Sequence, residues 1–169
     1  MVTPLDNPLW QFSNTIYRDS QVKSICLTLQ NQWHYNVNLV LFCGWLSHTK
    51  RLVSAKDMQY ALHLVAEWQA RMTEPLRGVR QYLATLPPSA RIAGGYDPII
   101  HLELVSESLQ QDALYKAFKD KPQTVLAPVK HQNLLYLSWL ADAMHQAPDE
   151  TIHRLFLDLI HFSTLKLKI

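Results

Sequence analysis

The chain has 169 residues, of which 48% are hydrophobic and 18% are charged, and its formal net charge is +2. This length is usual for one domain and is sufficient to bury a core without disulfides or metal ions. The sixteen Lys and Arg residues are spread among fourteen acids and form no basic block, so nothing in the composition resembles a nucleic-acid-binding surface. We therefore predict a single domain over residues 1–169 that does not bind nucleic acid.

Three features favour the cytoplasm. The N-terminus has no basic segment followed by a long apolar run, so it does not resemble a secretory signal. Cys26 and Cys43 lie in apolar helical patterns, where a reduced cysteine acts as a small core residue. The apolar stretch from Val37 to Leu46 is only half as long as the ~20 residues of a membrane span. The sequence thus predicts a cytoplasmic protein with no membrane span.

Two amphipathic helices are predicted at the N-terminus. Asn7-Pro8 begins the first, because Asn caps free backbone amides and Pro is tolerated at the first helical position. Asp19-Ser20 begins the second, in which apolar residues recur at spacings of three and four up to about Trp33.

A third helix is predicted from Val37 to about Ser47, with Asn36 as its N-cap. This segment is apolar nearly all the way round, so it must be surrounded by other helices. Asn38 falls in the first turn, where a short polar side chain is tolerated. Gly44 lies in the interior, where glycine costs ~1 kcal/mol relative to alanine, and we expect it to permit the close approach of a neighbouring helix. The third helix is therefore the expected centre of the core.

The middle of the chain contains two further helix starts and a loop. Ser54 resembles the first residue of a capping box, and Thr73-Glu74-Pro75 indicates a second start whose helix ends near Leu86. A kink or short break is expected from Met72 to Glu74. The segment from Pro87 to Asp97 concentrates turn residues, and we interpret it as the loop between an N-terminal and a C-terminal half.

Three more helices are predicted in the C-terminal half. Asp97-Pro98 is expected to cap a long helix that ends near Lys119 and buries a stripe of apolar residues, namely Leu102, Val105, Leu109, Ala113 and Ala117. Pro128 begins the next helix, and the last apolar stripe runs from Ile152 to Ile160, before an alternating tail from Leu165 to Lys168. The fold class predicted from the whole chain is all-α, a single-domain irregular or orthogonal bundle of seven to eight helices.

Four segments of the chain are similar to those of a known family. They are LWQFSNTIY (Leu9 to Tyr17), CLTLQ (Cys26 to Gln30), NVNLVLFCGWL (Asn36 to Leu46) and PLRGVR (Pro75 to Arg80), with a weaker match at ELVSE (Glu103 to Glu107). In this order and spacing they resemble a family of small proteobacterial proteins of unknown function. Where that family usually has Asp-Val-Asn, this chain has Asn36-Val37-Asn38, and either first residue caps a helix. The resemblance implies a bacterial cytoplasmic helical protein and implies no activity.

No motif for catalysis or metal binding is found. Glu150 and His153 form the single Glu-x-x-His pair, whereas a di-iron bundle needs two such pairs and two further Glu residues. His101 and Glu103 are two residues apart and do not share a helix face. The patterns H-E-x-x-H, C-x-x-C and G-x-S-x-G are absent from the sequence, as are phosphate-binding glycine motifs. We predict no catalytic residue, no metal site and no cofactor.

Five residues are candidates for binding a ligand or a partner: Arg77, Arg80, Trp10, Asn38 and Glu103. Arg77 and Arg80 are three residues apart on one helix face, and paired arginines suit the recognition of a carboxylate or phosphate. The alternative is a solvated, ion-paired face in which Glu74 pairs with Arg77.

Large aromatic residues are concentrated near the N-terminus. Within the first 45 residues the chain contains Trp10, Phe12, Tyr17, Trp33, Tyr35, Phe42 and Trp45. So many rings either line a ligand cavity between helices or fill the core of the N-terminal half.

Two functions stay open on this basis. One is a non-enzymatic interaction module that presents a helical surface to an unknown protein partner. The alternative is an enzyme or carrier that binds a small acidic or apolar ligand between helices through Arg77, Arg80 and the N-terminal aromatic residues. The sequence specifies neither the identity of the ligand or partner nor the oligomeric state.

Overall fold

The computed structural model describes residues 3–124 and 128–167. Nine α-helical segments lie in these ranges: α1 (Pro8–Tyr17), α2 (Ser20–Trp33), α3 (Val37–His48), α4 (Ala55–Trp68), α5 (Glu74–Ala84), α6 (Pro88–Ala93), α7 (Tyr96–Phe118), α8 (Val129–Ala143) and α9 (Glu150–Leu167). A π-helix, Gln69–Thr73, joins α4 to α5 without interruption. If α4, the π-helix and α5 are counted as one continuous helix, the described part of the chain has eight helices and no named strand. The predicted all-α bundle is confirmed.

The predicted N-caps of the first three helices are present. Asn7 Oδ1 accepts a hydrogen bond from the Trp10 amide at 3.0 Å. Asp19 caps α2 in the same way. Asn36 Oδ1 accepts from the Asn38 amide at 2.9 Å, which fixes the start of α3. Local sequence thus determines where these helices begin, because each cap satisfies a backbone amide that the helix leaves unpaired.

Helix α3 lies at the centre of the core, as predicted. All residues from Val37 to Ser47 are buried, and α1, α2, α7 and α8 pack around them. A β-carbon at Gly44 would lie 3.3 Å from ring atoms of Phe12, so the close neighbour is an aromatic side chain of α1. Helix α3 also packs against α8, whose Leu137 and Leu140 belong to the same buried core.

A kink or short break is predicted near Met72 to Glu74, and the helix does not break there. Helix α5 begins at Glu74 as predicted, but the predicted capping bond of Thr73 is absent. The Glu74 amide donates to the Gln69 carbonyl, five residues back, so a wider π turn carries the helix through this segment. Thr73 has helical backbone angles and makes no capping bond. Its Oγ1 instead lies 2.7 Å from Ser106 Oγ on α7. A tertiary hydrogen bond has replaced the local one.

The predicted loop from Pro87 to Asp97 is also mostly helical. The short helix α6 occupies its first half, and α7 begins at Tyr96, one residue before the expected cap Asp97. Gly95 precedes α7 with φ of +74°, a left-handed conformation that glycine adopts without strain. The turn signal therefore marks a sharp change of direction between two helices.

The buried face of α7 differs from the predicted apolar stripe. Leu102 is 45% exposed and Leu109 36% exposed, whereas Val105 is buried as expected. The residues that α7 buries include Glu103, Ser106, Gln110, Gln111, Leu114 and Phe118. Most of them are polar, and they find hydrogen-bond partners on α3, α5 and the π-helix. Because these partners compensate desolvation, a polar face is buried in place of an apolar one.

Two connections and the C-terminal helices complete the bundle. An antiparallel bridge between Arg51 and Gln123 ties the α3–α4 connection to the segment after α7. The predicted alternating tail is wrong for residues 165–167, which form the last turn of α9, and Lys168 lies outside the described residues. Within 3–124 and 128–167, no helix combines the length and apolar character of a membrane span.

Candidate ligand-binding site

Two adjoining spaces open between the N-terminal helices and α7. The first, here called the cavity, has a volume of about 90 Å³ and lies between α1, α2, α3 and α7. The second, here called the groove, has about 400 Å³ and lies between α2, α5 and α7. Both are lined by Tyr17, Gln30, Leu104 and Glu107, so the two spaces share part of their walls.

Ser13 brings a hydroxyl group into the wall of the cavity. It lies on the buried face of α1 together with Leu9, Phe12 and Ile16, and it is 3% exposed. Its Oγ has no hydrogen-bond partner among the described residues. Hydroxyls elsewhere in the helices, such as that of Ser47, donate to the carbonyl one turn back. Ser13 Oγ is therefore a buried, unpaired oxygen on a residue that lines the cavity.

Gln111 contributes a second unpartnered oxygen. Its side chain is 2% exposed, and its Nε2 donates to Asn38 Oδ1 at 2.9 Å. Gln111 Oε1 is buried and accepts no hydrogen bond from the part of the chain that is described. An unsatisfied buried polar atom costs about 1–3 kcal/mol, so two of them beside one small cavity lower the stability of the folded state.

A network of charged side chains lines the groove. Arg77 donates from Nε to Glu103 Oε1 at 3.0 Å and from Nη2 to Glu107 Oε1 at 3.1 Å. Arg80 also donates to Glu103 through Nε. The side chain of Arg77 is only 12% exposed and that of Glu103 8% exposed. Helices α5 and α7 are thus joined by a largely buried ion-pair network.

The environment of Glu107 disfavours a negative charge. Burial raises the pKa of this carboxyl from 4.5 to about 7, and the charge of Glu103 adds to the rise. Arg77 acts in the opposite direction but does not cancel it. Burial likewise raises the pKa of Tyr17, so its phenol stays protonated at neutral pH. Where the cavity meets the groove, burial therefore favours the protonated forms of both groups.

The five sequence candidates fall on these two adjoining spaces. Trp10 and Asn38 line the cavity, whereas Arg77, Arg80 and Glu103 line the groove. These residues are carried by α1, α3, α5 and α7, which lie far apart in sequence and come together in the fold.

The alternative of a solvated face is wrong for Arg77. Its side chain is largely buried, and its partners are Glu103 and Glu107 on α7. Glu74, the partner expected one turn away, accepts a hydrogen bond from Gln69 instead. Arg71 does have the exposed character expected of such a face, since it pairs with Glu67 and is 78% exposed.

The aromatic residues divide between the two interpretations. Phe12, Tyr35, Phe42 and Trp45 are buried in the core, as the packing interpretation predicts. Trp10 and Tyr17 line the cavity, as the ligand interpretation predicts.

Three residues of the site were missed in the sequence, namely Ser13, Glu107 and Gln111. A signal existed for Ser13, because it is a polar residue within the apolar stripe of α1. Glu103 and Glu107 are four apart on one helix face and so form an acidic pair opposite the two arginines. Gln111 continues that face by four more residues. Its role depends on Asn38, which is 73 residues away in the chain.

The cavity presents polar and apolar groups side by side. Its walls offer hydrogen-bonding oxygens, aromatic rings and one carboxyl group. No group of three or more His, Cys, Asp and Glu side chains in the described ranges is arranged to hold a metal ion.

Comparison with known families identifies one match. The model of a family described as a protein of unknown function (DUF2390) matches residues 8–114, which is well over half of the chain. The match runs from the start of α1 into α7, so every residue that lines the cavity lies within it. Neither the curated proteins nor the solved structures contain a match to the chain. The chain therefore belongs to the DUF2390 family of proteins of unknown function.

Proposed function

We propose that this protein binds a small molecule in the cavity between α1, α2, α3 and α7. One observation carries the proposal: Ser13 and Gln111 line the same cavity, and each has a buried oxygen without a partner in the described chain. Buried polar atoms are nearly always paired, and exceptions in native proteins call for an explanation. A bound molecule toward which one of these side chains turns is such an explanation.

The lining of the cavity supports the same function. Trp10 and Tyr17 provide aromatic surface, while Val37 and Leu41 provide apolar surface. Ligand sites are typically apolar with a few polar groups that fix orientation. The groove offers a route of entry, since it shares part of its wall with the cavity.

The cytoplasm of a bacterium is the compartment in which we expect this activity. Cys26 and Cys43 are both free and buried, and burial raises the pKa of the Cys26 thiol to about 12. Such thiols are unreactive and suit a reducing environment.

The direct test is extraction of the protein after native purification from its host. We expect mass spectrometry of the denatured extract to show a stoichiometric small molecule with the wild type. Ser13→Leu, which fills the cavity, should lose that molecule, and Ser24→Leu on the exposed face of α2 is the matched control. An extract without any small molecule, from wild type with its thermal transition intact, would contradict the proposal.

Protein binding is a second candidate function, and exposed apolar residues favour it. Val79 and Tyr82 on α5 are 46% and 66% exposed, and Ile92 on α6 is 83% exposed. An affinity pull-down from the native host, compared with that of a Tyr82→Ser and Ile92→Ser double variant, tests this surface. A polypeptide that wild type retains and the double variant loses would support protein binding.

A further inference from the structure

We propose that the groove between α2, α5 and α7 is a second binding site, which takes a small organic anion by its carboxylate or phosphate group. The oxygens of that group accept hydrogen bonds from Arg77 and Arg80 on α5 and from Lys23 on α2. The proposal goes beyond the proposed function, which concerns the cavity, and it does not depend on that function. Three cationic side chains that line one open space carry the argument.

Each of the two arginines has one terminal nitrogen that is not engaged. Arg77 donates through Nε to Glu103 and through Nη2 to Glu107. Arg80 donates through Nε and Nη2 to Glu103 alone. Neither Nη1 has a hydrogen-bond partner among the described residues, and neither is one of the buried unpartnered atoms. Because every guanidinium nitrogen is a donor, each free Nη1 can only seek an acceptor, which an anion supplies.

Lys23 adds a third cation from another wall of the groove. It lies on the same face of α2 as Leu27 and Gln30, which also line the groove, and no acid of α2 is among the lining residues. The ammonium group of Lys23 has no ion-pair partner in the part of the chain that the structure describes. Its flexible stem allows the charge to move towards an anion that the arginines hold.

The groove presents more positive than negative charge to a ligand. Its lining contains three cationic and two acidic side chains. Glu103 is only 8% exposed, whereas Arg80 is 29% exposed and Lys23 is fully on the surface. Burial raises the pKa of Glu107 to about 7, so this carboxyl is only partly ionised at neutral pH. An anion that enters the groove therefore meets accessible positive charge.

The remaining lining suits a small apolar body attached to the anionic group. Leu27, Ile100 and Leu104 provide aliphatic surface, and Tyr17 and Tyr96 provide aromatic surface. The volume of about 400 Å³ lies within the roughly 300–1,000 Å³ that is usual for small-molecule sites. A single ring that carries one anionic group is therefore a suitable probe.

Four ring compounds of similar size test the need for negative charge. Benzoate and phenyl phosphate are anions, benzyl alcohol is neutral and benzylamine is a cation. Binding is measured at neutral pH and low salt from the chemical shifts of the Arg77 and Arg80 Nε–H groups, assigned with Arg→Lys variants. We expect the better anion to bind with a Kd at least about tenfold lower than that of benzyl alcohol, because hydrogen bonds to charged groups are the stronger ones. Which anion binds more tightly identifies the group as carboxylate or phosphate.

Charge reversal at Lys23 links binding to the groove. Lys23→Glu should weaken binding of the better anion at least about tenfold, since it replaces an attraction by a repulsion. The matched control is Lys56→Glu, at an exposed lysine on α4 that does not line the groove. It changes the net charge equally and should weaken binding less than about twofold. Neither lysine has a described ion-pair partner, so both variants should keep the thermal midpoint of the wild type.

The results either support the anion site or overturn it. Binding of an anion that Lys23→Glu loses and Lys56→Glu retains would support it. Equal weakening by both variants would overturn it, because binding would then depend on net charge alone. Failure of both anions to bind at millimolar concentration would overturn it as well, and so would equal or tighter binding of benzyl alcohol or benzylamine.

A cavity variant separates this site from the proposed function. Ser13→Leu fills the cavity, but Ser13 does not line the groove, so this variant should bind the anion as tightly as the wild type does. Loss of anion binding in Ser13→Leu would overturn the groove as the location of the site. Absence of a small molecule from the native extract would contradict the proposed function and leave the anion titration unchanged.

Discussion

Gly44 and Gly78 both lie in helix interiors but have different surroundings. A β-carbon at Gly44 would lie 3.3 Å from the ring of Phe12, whereas none of the described atoms lies within 4 Å of one at Gly78. Replacement by alanine gains up to ~1 kcal/mol of helix propensity at either site. We expect Gly78→Ala to raise the free energy of unfolding, and Gly44→Ala to be at least ~1 kcal/mol less favourable than Gly78→Ala. Chemical denaturation of the two variants measures this difference.

A larger side chain at the same positions extends the test. Gly44→Leu should overpack the core and lower the free energy of unfolding by about 1–3 kcal/mol. Gly78→Leu should have little effect, because its side chain would extend into open space. Equal effects at the two positions would show that the Phe12 contact does not constrain α3.

Glu107 should make stability depend on pH in a defined window. Its pKa is raised from 4.5 to about 7 in the folded chain, so the folded state holds the proton more tightly than the unfolded state does. The stabilising contribution is therefore complete below pH 4.5 and is lost as the pH rises through about 7. Each unit of pKa difference corresponds to about 1.4 kcal/mol.

Comparison with Glu107→Gln isolates this contribution. The unfolding free energy of wild type minus that of Glu107→Gln should fall between pH 4.5 and 7 and stay level above that range. Glu67→Gln, at a carboxylate that is 80% exposed, controls for the removal of one charge. A difference that rises with pH would mean that Arg77 lowers the pKa of Glu107 below its usual value.

At the scale of elements, the ion-pair network between α5 and α7 should contribute to stability. Arg77→Ala would leave Glu103 with Arg80 and would remove the ion pair of Glu107. We expect a loss of about 3 kcal/mol, at the lower end of the range for breaking a buried pair. Arg71→Ala, at a side chain that is 78% exposed, should cost about 0–1 kcal/mol. Thermal or urea unfolding compares them, and equal losses would contradict a buried network.

Helices α3 and α7 show what sequence patterns predict and what they do not. The position of α3 was predictable, because a segment that is apolar on all sides has to be enclosed by others. The buried face of α7 was not predictable in the same way, because Leu102 and Leu109 of the expected apolar stripe are in fact exposed. Its polar face is buried only because partners on other helices satisfy it, and such partners are visible only after folding. For the same reason, the sequence did not identify Gln111 and Glu107 as residues of the site.

At the scale of the whole molecule, the family match ends within α7, yet the core continues into α8. Leu137, Leu140 and Ala141 of α8 are fully buried, and α8 packs directly against α3. A fragment of residues 1–124 would therefore expose part of the central helix. We expect this fragment to keep helical far-UV circular dichroism, lose the near-UV signal and bind a hydrophobic dye. A cooperative thermal transition with a native near-UV spectrum would contradict this expectation.

The antiparallel bridge between Arg51 and Gln123 has a consequence for amide hydrogen exchange. The Leu52 amide donates to the Pro122 carbonyl at 2.7 Å, and the Thr124 amide donates to the Lys50 carbonyl at 2.9 Å. Both amides lie outside the helices, where rapid exchange with solvent deuterium is the usual expectation. Because the bonds join segments some seventy residues apart, neither can open by local fraying of a helix end. Leu52 and Thr124 should therefore exchange at rates typical of the core, and their deuterium uptake would report opening of the whole bundle.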